Sequence, residues 1–235
     1  MTEAKIEFDR ERASQYDLDI RKAIPGYEAL HGMAYSLLQS NISTSARVLV
    51  VGSGTGMELI SYCKRSQWSL IGVEPSVEMM GIAIRELNIL GLSDRVNLHR
   101  GYIDTLPPTE PIEAATLLLV MHFLPDDGSK LQLLQNIARR LRKGAPLVLA
   151  DLYGDRTLPY FAKFIKAWRF FYLSQLDAES RVKAEAQFSR SIANSVYFVT
   201  EARIVELLQS AGFSQIAKFY NAFLFGGWIA RYTGS

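Results

Sequence analysis

The sequence predicts a doubly wound α/β fold: seven strands, mostly parallel, with helices on both faces and an antiparallel hairpin at the C-terminal end. Three observations predict it. From Arg47 onward, short β-branched or aliphatic runs alternate with segments of helical periodicity. The first run leads directly into "GSGTG", with glycines at 52, 54 and 56, and then into a helical segment. Near the end, "QIAKFYN" and "AFLFGGWIARY" are strand-like and joined by a turn too short for anything but an antiparallel pair.

Each element follows from its local pattern. Residues from about Ala4 to Leu38 have helical patterning, interrupted at "IPGY" by Pro25 and Gly26. "RVLVV" is the first strand and Met57 to Lys64 the helix after it. "SLIGV" is the second strand, and Val77 to Leu90 a helix closed by Gly91. "RVNLH" and "EAATLLLV" are the third and fourth strands. Ser129 to Arg142 is a helix stopped at Lys143-Gly144, and "APLVLAD" is the fifth strand. Thr157 to Asn194 then holds two helical stretches with no strand between them, an insert whose first half, "YFAKFIKAWRFFYL", is unusually aromatic. Glu201 to Ser210 is an amphipathic helix ending at "AGF", before the hairpin.

Composition bounds the function. Hydrophobic residues at 49% and charged residues at 21% fit a soluble globular protein. The longest apolar stretch, Ala114 to Leu124, is too short to span a bilayer. The charged N-terminus lacks an apolar signal core, so secretion is not expected. The single cysteine, Cys63, excludes an internal disulfide and a multi-cysteine zinc site, and fits a reducing cytoplasm. Three scattered histidines give no metal site. The net charge of +2, without a basic cluster, argues neither for nor against nucleic acid.

A glycine turn between strand and helix lets a ligand approach bare backbone, and the helix N-terminus adds N–H donors. The alternative is a tight turn with no ligand. The dinucleotide fingerprint requires a third glycine where this chain has Met57. The second strand ends in "GVEPS", where the Glu74 carboxylate can accept from both hydroxyls of a ribose, as in NAD enzymes and other adenosine binders. Together the two features favour an adenosine-containing ligand.

In chain order, "RVLVVGSGTG", "IGVEPS", "GYIDTLP", "LLLVMHFLPDD" and "LRKGAPLVLADL" resemble the motifs of class I S-adenosylmethionine-dependent methyltransferases, over about Arg47 to Leu152. "AGFSQIAKFYNAFLFGGWIARY" matches their closing hairpin. The resemblance implies a Rossmann-like sheet and the cofactor S-adenosyl-L-methionine, released as S-adenosyl-L-homocysteine. It implies cofactor contacts at Gly52, Ser53, Gly54, Gly56, Glu74, Pro75, Tyr102, Ile103 and Val120. A narrower outline, in "FDRERASQYD", "IPGYEAL", Arg190-Ser191 and "FYNAFLFGGWIA", is similar to the group containing the carboxy-S-adenosylmethionine synthase of tRNA wobble-uridine modification. It implies that Tyr27 folds over the cofactor and that Arg190 meets a carboxylate. Three positions depart from these patterns: Val50 and Tyr102 where acids are usual, and Leu118 where the carboxy-cofactor enzyme has Asn. The Ile103 N–H remains for adenine, with Tyr102 stacking on it or edging it.

Methyl transfer is an in-line displacement that needs near-attack geometry and exclusion of water. It needs a base only where the acceptor must lose a proton. The mouth is expected at the carboxyl ends of the strands. His122 is the titratable candidate there, against a reading in which it packs beneath the following helix. His99 reads as structural, and His31 has no assigned role. Tyr153, Trp168, Tyr172 and Arg190 are the substrate candidates, with core packing as the other reading for the aromatic run. The expected layout is one domain: helical cap 1–45, cofactor-binding core 46–152, insert or lid 153–199, and C-terminal helix and hairpin 200–235. The leading function is methyl transfer to a small-molecule acceptor by a cytoplasmic enzyme, with the insert serving as substrate lid or homodimer contact. The alternatives are a carboxy-cofactor synthase or other tRNA-modification enzyme, a cofactor-binding regulator without chemistry, and last an NAD dehydrogenase.

Overall fold

Residues buried on both faces of a sheet read as unbroken aliphatic runs, and the central strands of the computed structural model, which describes residues 10–234, bear this out. Strands β4 (Ala114–Leu118) and β5 (Pro146–Leu152) are buried at every position. With β1 (Arg47–Val51), β2 (Ser69–Glu74) and β3 (Val96–Arg100) they pair in parallel; β6 (Phe213–Ala222) and β7 (Phe225–Tyr232) join antiparallel. The order is β3-β2-β1-β4-β5-β7-β6.

Alternation along the strands divides the interior into two cores. Val48 and Val50 face a core shared with α2 (Tyr27–Gln39), α3 (Met57–Arg65), α6 (Pro159–Ser174) and α7 (Ala178–Asn194). Leu49 and Val51 face the other, shared with α5 (Ser129–Ala138) and α8 (Glu201–Ser210). Helix α4 (Val77–Ile89) starts at Ser76, whose hydroxyl caps it by accepting from the Met79 N–H.

Helix α1 (Arg10–Ala23) forms a roof with α6 at the carboxyl ends of the strands. Trp168 Nε1–H of α6 donates to the Ala23 carbonyl at 2.7 Å, and the Tyr220 hydroxyl of β6 donates to the Pro25 carbonyl. The helical reading at residues 4–9 lies outside the described residues.

Several boundaries differ from the sequence reading. The fourth strand stops at Leu118 instead of running to Val120, because Leu119 turns to φ +62 with its N–H on the Ala150 carbonyl. Helix α5 ends at Ala138 instead of Arg142, where Leu141 makes a parallel bridge with Ile112. The sixth strand starts at Phe213, and the hairpin turns at Phe223-Leu224, with Phe223 at φ +51.

Candidate active site

The glycine turn is held against β2: the N–H groups of Gly52 and Ser53 both donate to the Val73 carbonyl, at 2.8 and 3.0 Å. All three glycines have positive φ, at +73, +53 and +86, but they differ in what surrounds them. A Cβ at Gly52 would lie 2.3 Å from Val120 Cγ2, and one at Gly56 would lie 3.0 Å from Ala83 Cβ. A Cβ at Gly54 would meet nothing within 4 Å. Protein atoms therefore enforce two of the glycines, and the third leaves backbone open to a ligand.

Glu74 is buried at the tip of β2 beside this opening. Its Oε2 accepts from the Gly54 N–H and its Oε1 from the Ser76 N–H, both at 2.9 Å. Burial raises its pKa, and the two N–H donors oppose that. Each oxygen keeps a second lone pair for a hydroxyl. The Ser53 hydroxyl is buried and has no hydrogen-bond partner among the described residues, a group that a bound nucleoside would satisfy. Pro75 and Tyr102 are exposed at the rim, and Ile103 is buried with its carbonyl held by Arg140 Nη2 at 2.9 Å.

The roof reaches this turn. Asp17 of α1 accepts from the Thr55 hydroxyl at 2.6 Å, and Arg21 lies against Met57 Sδ. Tyr27, at the start of α2, is buried with its ring 4.4 Å from that of His31. Burial, then Asp17 and Glu58, hold its phenol well above the ordinary value. The turn, Glu74, Ser53 and Tyr27 fit an adenosyl amino acid as they stand.

A cavity of about 220 Å³ lies next to it, lined by Ile24, Leu119, His122, Trp168, Tyr172 and Phe188, with Asp19, Gln187 and Ser191 among its polar groups. Among the described residues, no lysine or arginine lines it. The segment after β4 joins the two spaces, since Val120 packs on Gly52 while Leu119 and His122 face the cavity.

His122 is buried with Nδ1 2.6 Å from Asp151 Oδ1. The Asp151 carboxylate, on fully buried β5, also accepts from the His122 N–H at 3.1 Å and the Leu152 N–H at 2.6 Å. This fixes the ring and assigns the proton to Nδ1, so Nε2 is the nitrogen with a free lone pair. Behind it, fully buried Lys130 donates to the Met121 carbonyl at 2.7 Å; burial lowers its pKa, and Asp151 and Asp126 oppose that. The arrangement can receive a proton from a group in the cavity.

Sequence reasoning did not pair His122 with Asp151 and missed Lys130. Both had a signal. Asp151 is a lone acid in an aliphatic strand, and Lys130 shares a helical face with Leu134, Ile137 and Ala138.

Two substrate candidates are not placed with the others. Arg190 is exposed and outside the cavity lining; α7 turns Ala184, Phe188 and Ser191 inward instead. Tyr153 lies in the opposite core, because strand alternation sends Leu152 toward the cavity and Tyr153 away. Its hydroxyl donates to Asn221 Oδ1 and accepts from Lys218 Nζ, both at 2.7 Å. His99 bonds Thr105 through Nε2 at 2.9 Å, away from the cavity.

A mostly parallel sheet with an antiparallel end, a bare-backbone turn and a carboxylate at the next strand tip define the class I S-adenosylmethionine-dependent methyltransferase architecture. The chain belongs to the methyltransferase-domain family, whose model matches residues 27–218. S-adenosyl-L-methionine is its cofactor. It is 27% identical over 209 residues to a demethylmenaquinone methyltransferase of Lactiplantibacillus plantarum, covering 86% of this chain and 84% of that one. It is 23% identical over 231 residues to a carboxy-S-adenosyl-L-methionine synthase of Campylobacter hominis, covering 97% and 94%. Among solved structures, the DhpI-SAH complex shares the fold at TM-score 0.64 and 17% identity, covering 96% of this chain and 94% of that one. Phosphoethanolamine N-methyltransferase 2 of Haemonchus contortus, with S-adenosyl-L-methionine, shares it at 0.68 and 14%, covering 97% and 58%. Among the described residues no helix is long and apolar enough to cross a membrane.

Proposed function

We propose that the protein methylates a small, largely apolar acceptor seated in the cavity beneath α6 and α7, with His122 receiving the proton that the acceptor loses. The cofactor supplies an electrophilic methyl group on a sulfonium. Gly54 and Glu74 would hold its adenosyl part, with Tyr27 over it from the roof. Trp168, Tyr172 and Phe188 give the acceptor an apolar bed and exclude water. An acceptor hydroxyl that takes up this methyl group would give its proton to His122 Nε2. Asp151 keeps the ring in the accepting tautomer and stabilises the imidazolium that results. The observation that carries this reading is the 2.6 Å pairing of His122 Nδ1 with buried Asp151 at the cavity wall. The relative named for a demethylmenaquinone supports an apolar acceptor. The lack of a lysine or arginine in the cavity lining among the described residues, with Arg190 outside it, favours an uncharged acceptor over a carboxylated one.

The test is His122→Ala with a panel of hydroxylated aromatics, following S-adenosyl-L-homocysteine release. Turnover should fall by about 10²–10⁴-fold, with S-adenosyl-L-homocysteine affinity unchanged by calorimetry. Turnover at the wild-type rate removes His122 from the chemistry.

A further inference from the structure

We infer that Glu58 is the cofactor's counter-ion, its carboxylate receiving the α-ammonium of the methionine end. Glu58 is the second residue of α3, directly after the glycine turn, and is only 8% exposed. One oxygen accepts from the Thr116 hydroxyl of β4. No lysine or arginine pairs with it among the described residues. A carboxylate buried without a cation costs several kcal/mol when ionised. An acid serving only to complement a helix N-terminus works from the surface and needs no such burial. Glu58 instead turns inward, toward Thr116 and Tyr62.

The groups around that point agree. The Tyr62 hydroxyl beside it is buried and turned to the Glu58 carboxylate, and no donor among the described residues reaches its oxygen. Tyr27 lies close enough to feel both Glu58 and Asp17, and Asp17 is bonded to Thr55 of the glycine turn. Glu58 and Tyr62 therefore lie together on α3 just past the turn, with Tyr27 near Glu58 and Asp17 near Tyr27. The nearby cation, Arg21, is turned to Glu28 and Met57. Of the cofactor's parts, the ammonium is the one with three donors to offer a carboxylate and the lone pairs of a phenol oxygen. The inference rests on the cofactor assignment above.

Calorimetry at pH 8 on the full chain tests it, with two ligands: S-adenosyl-L-homocysteine, and 5′-methylthioadenosine, which keeps the nucleoside and sulfur but lacks the amino-acid end. Glu58→Gln is nearly isosteric and can still accept from Thr116. It should weaken S-adenosyl-L-homocysteine about 10–100-fold and leave 5′-methylthioadenosine within about twofold, as expected for losing one charge-assisted contact. Glu58→Asp, which keeps the charge on a shorter arm, should lose less than Glu58→Gln. Unchanged S-adenosyl-L-homocysteine affinity in Glu58→Gln overturns the assignment, and so does an equal loss for both ligands, which marks a structural role. If the unmodified protein binds neither ligand, the cofactor assignment fails, and this inference with it.

Discussion

A glycine in the sequence shows where side chains are excluded but not what excludes them. The three glycines of "GSGTG" look equivalent along the chain, yet Val120 enforces one, Ala83 another, and only Gly54 borders open space. The excluding residues come from distant segments, so no local pattern could sort them. The distinction is measurable. Gly52→Ala adds a Cβ 2.3 Å from Val120 Cγ2 at φ +73, so it should destabilise the fold by about 2–4 kcal/mol. Gly54→Ala meets no neighbour and should cost only about 1 kcal/mol for its left-handed backbone. It should nevertheless lose most of the cofactor affinity, because the methyl group occupies the ligand's approach. Urea melts and calorimetry on the two variants separate these outcomes; equal effects on stability would contradict the division. The acid missing at position 50 has a similar explanation. Val50 pairs in register with Thr116, and Thr116 is the residue that Glu58 reaches from α3. The carboxylate is supplied from a different position, which the motif alone could not show.

At the scale of elements, the alternating core was legible because strand and helix periods differ, and five parallel strands in order leave few arrangements. The insert was harder to read. "YFAKFIKAWRFFYL" has aromatic residues on all sides: Phe161 and Trp168 are buried, whereas Tyr160, Phe164 and Phe170 are exposed. Period could not decide which face met substrate. Arg190 entered the candidates through the resemblance and Tyr153 through its place at a strand end, and the faces of both depend on how α7 and the end of β5 meet the sheet. Trp168 now has a definite part. Its ring packs edge-on against Phe188 and Phe225 at 4.8 Å, and its N–H fastens α6 to the last carbonyl of α1. Trp168→Phe loses that hydrogen bond and part of the buried ring, about 2 kcal/mol together. The melting temperature should fall by about 4–8 °C. Because α1 also holds Asp17 on Thr55, the variant should bind S-adenosyl-L-homocysteine several-fold more weakly. Weaker folding with unchanged affinity would show that the roof and the turn are independent.

For the whole molecule, the mostly parallel sheet, its hairpin and an N-terminal helical cap followed from the sequence, whereas the bonds that close the cap over the turn did not. That closure depends on single long-range bonds, Asp17 to Thr55 and Trp168 to Ala23, which leave no periodic trace. It also buries two titratable groups with opposite consequences for stability. Burial, with Arg21 adding to it, lowers His31 to about 4. The unfolded chain then takes up a proton below about 6.5 that the folded protein refuses, and stability is lost as pH falls from 6.5 toward 4. Burial raises Glu58 to about 7, with the Thr116 and Tyr62 hydroxyls opposing it. The unfolded chain releases a proton above about 4.5 that the folded protein retains, so stability is lost as pH rises from 4.5 through 7. Thr116 of β4, Tyr62 of α3 and Tyr27 of α2 face Glu58, and none brings a cation. Between pH 4.5 and 6.5 the slopes from these two groups oppose each other. Glu58→Gln removes one slope and exposes the other. Its stability should rise with pH across that window. At pH 8 it should exceed the unmodified protein by up to about 3 kcal/mol, since each tenfold change in proton affinity is worth roughly 1.4 kcal/mol. Urea denaturation of both proteins at pH 5, 6.5 and 8 reads this directly. Saturating S-adenosyl-L-homocysteine should narrow or reverse the pH 8 difference, because binding stabilises the protein that binds more tightly. A variant no more stable than its parent at pH 8 would mean that Glu58 is already satisfied without a ligand, and the counter-ion role would lose its energetic basis.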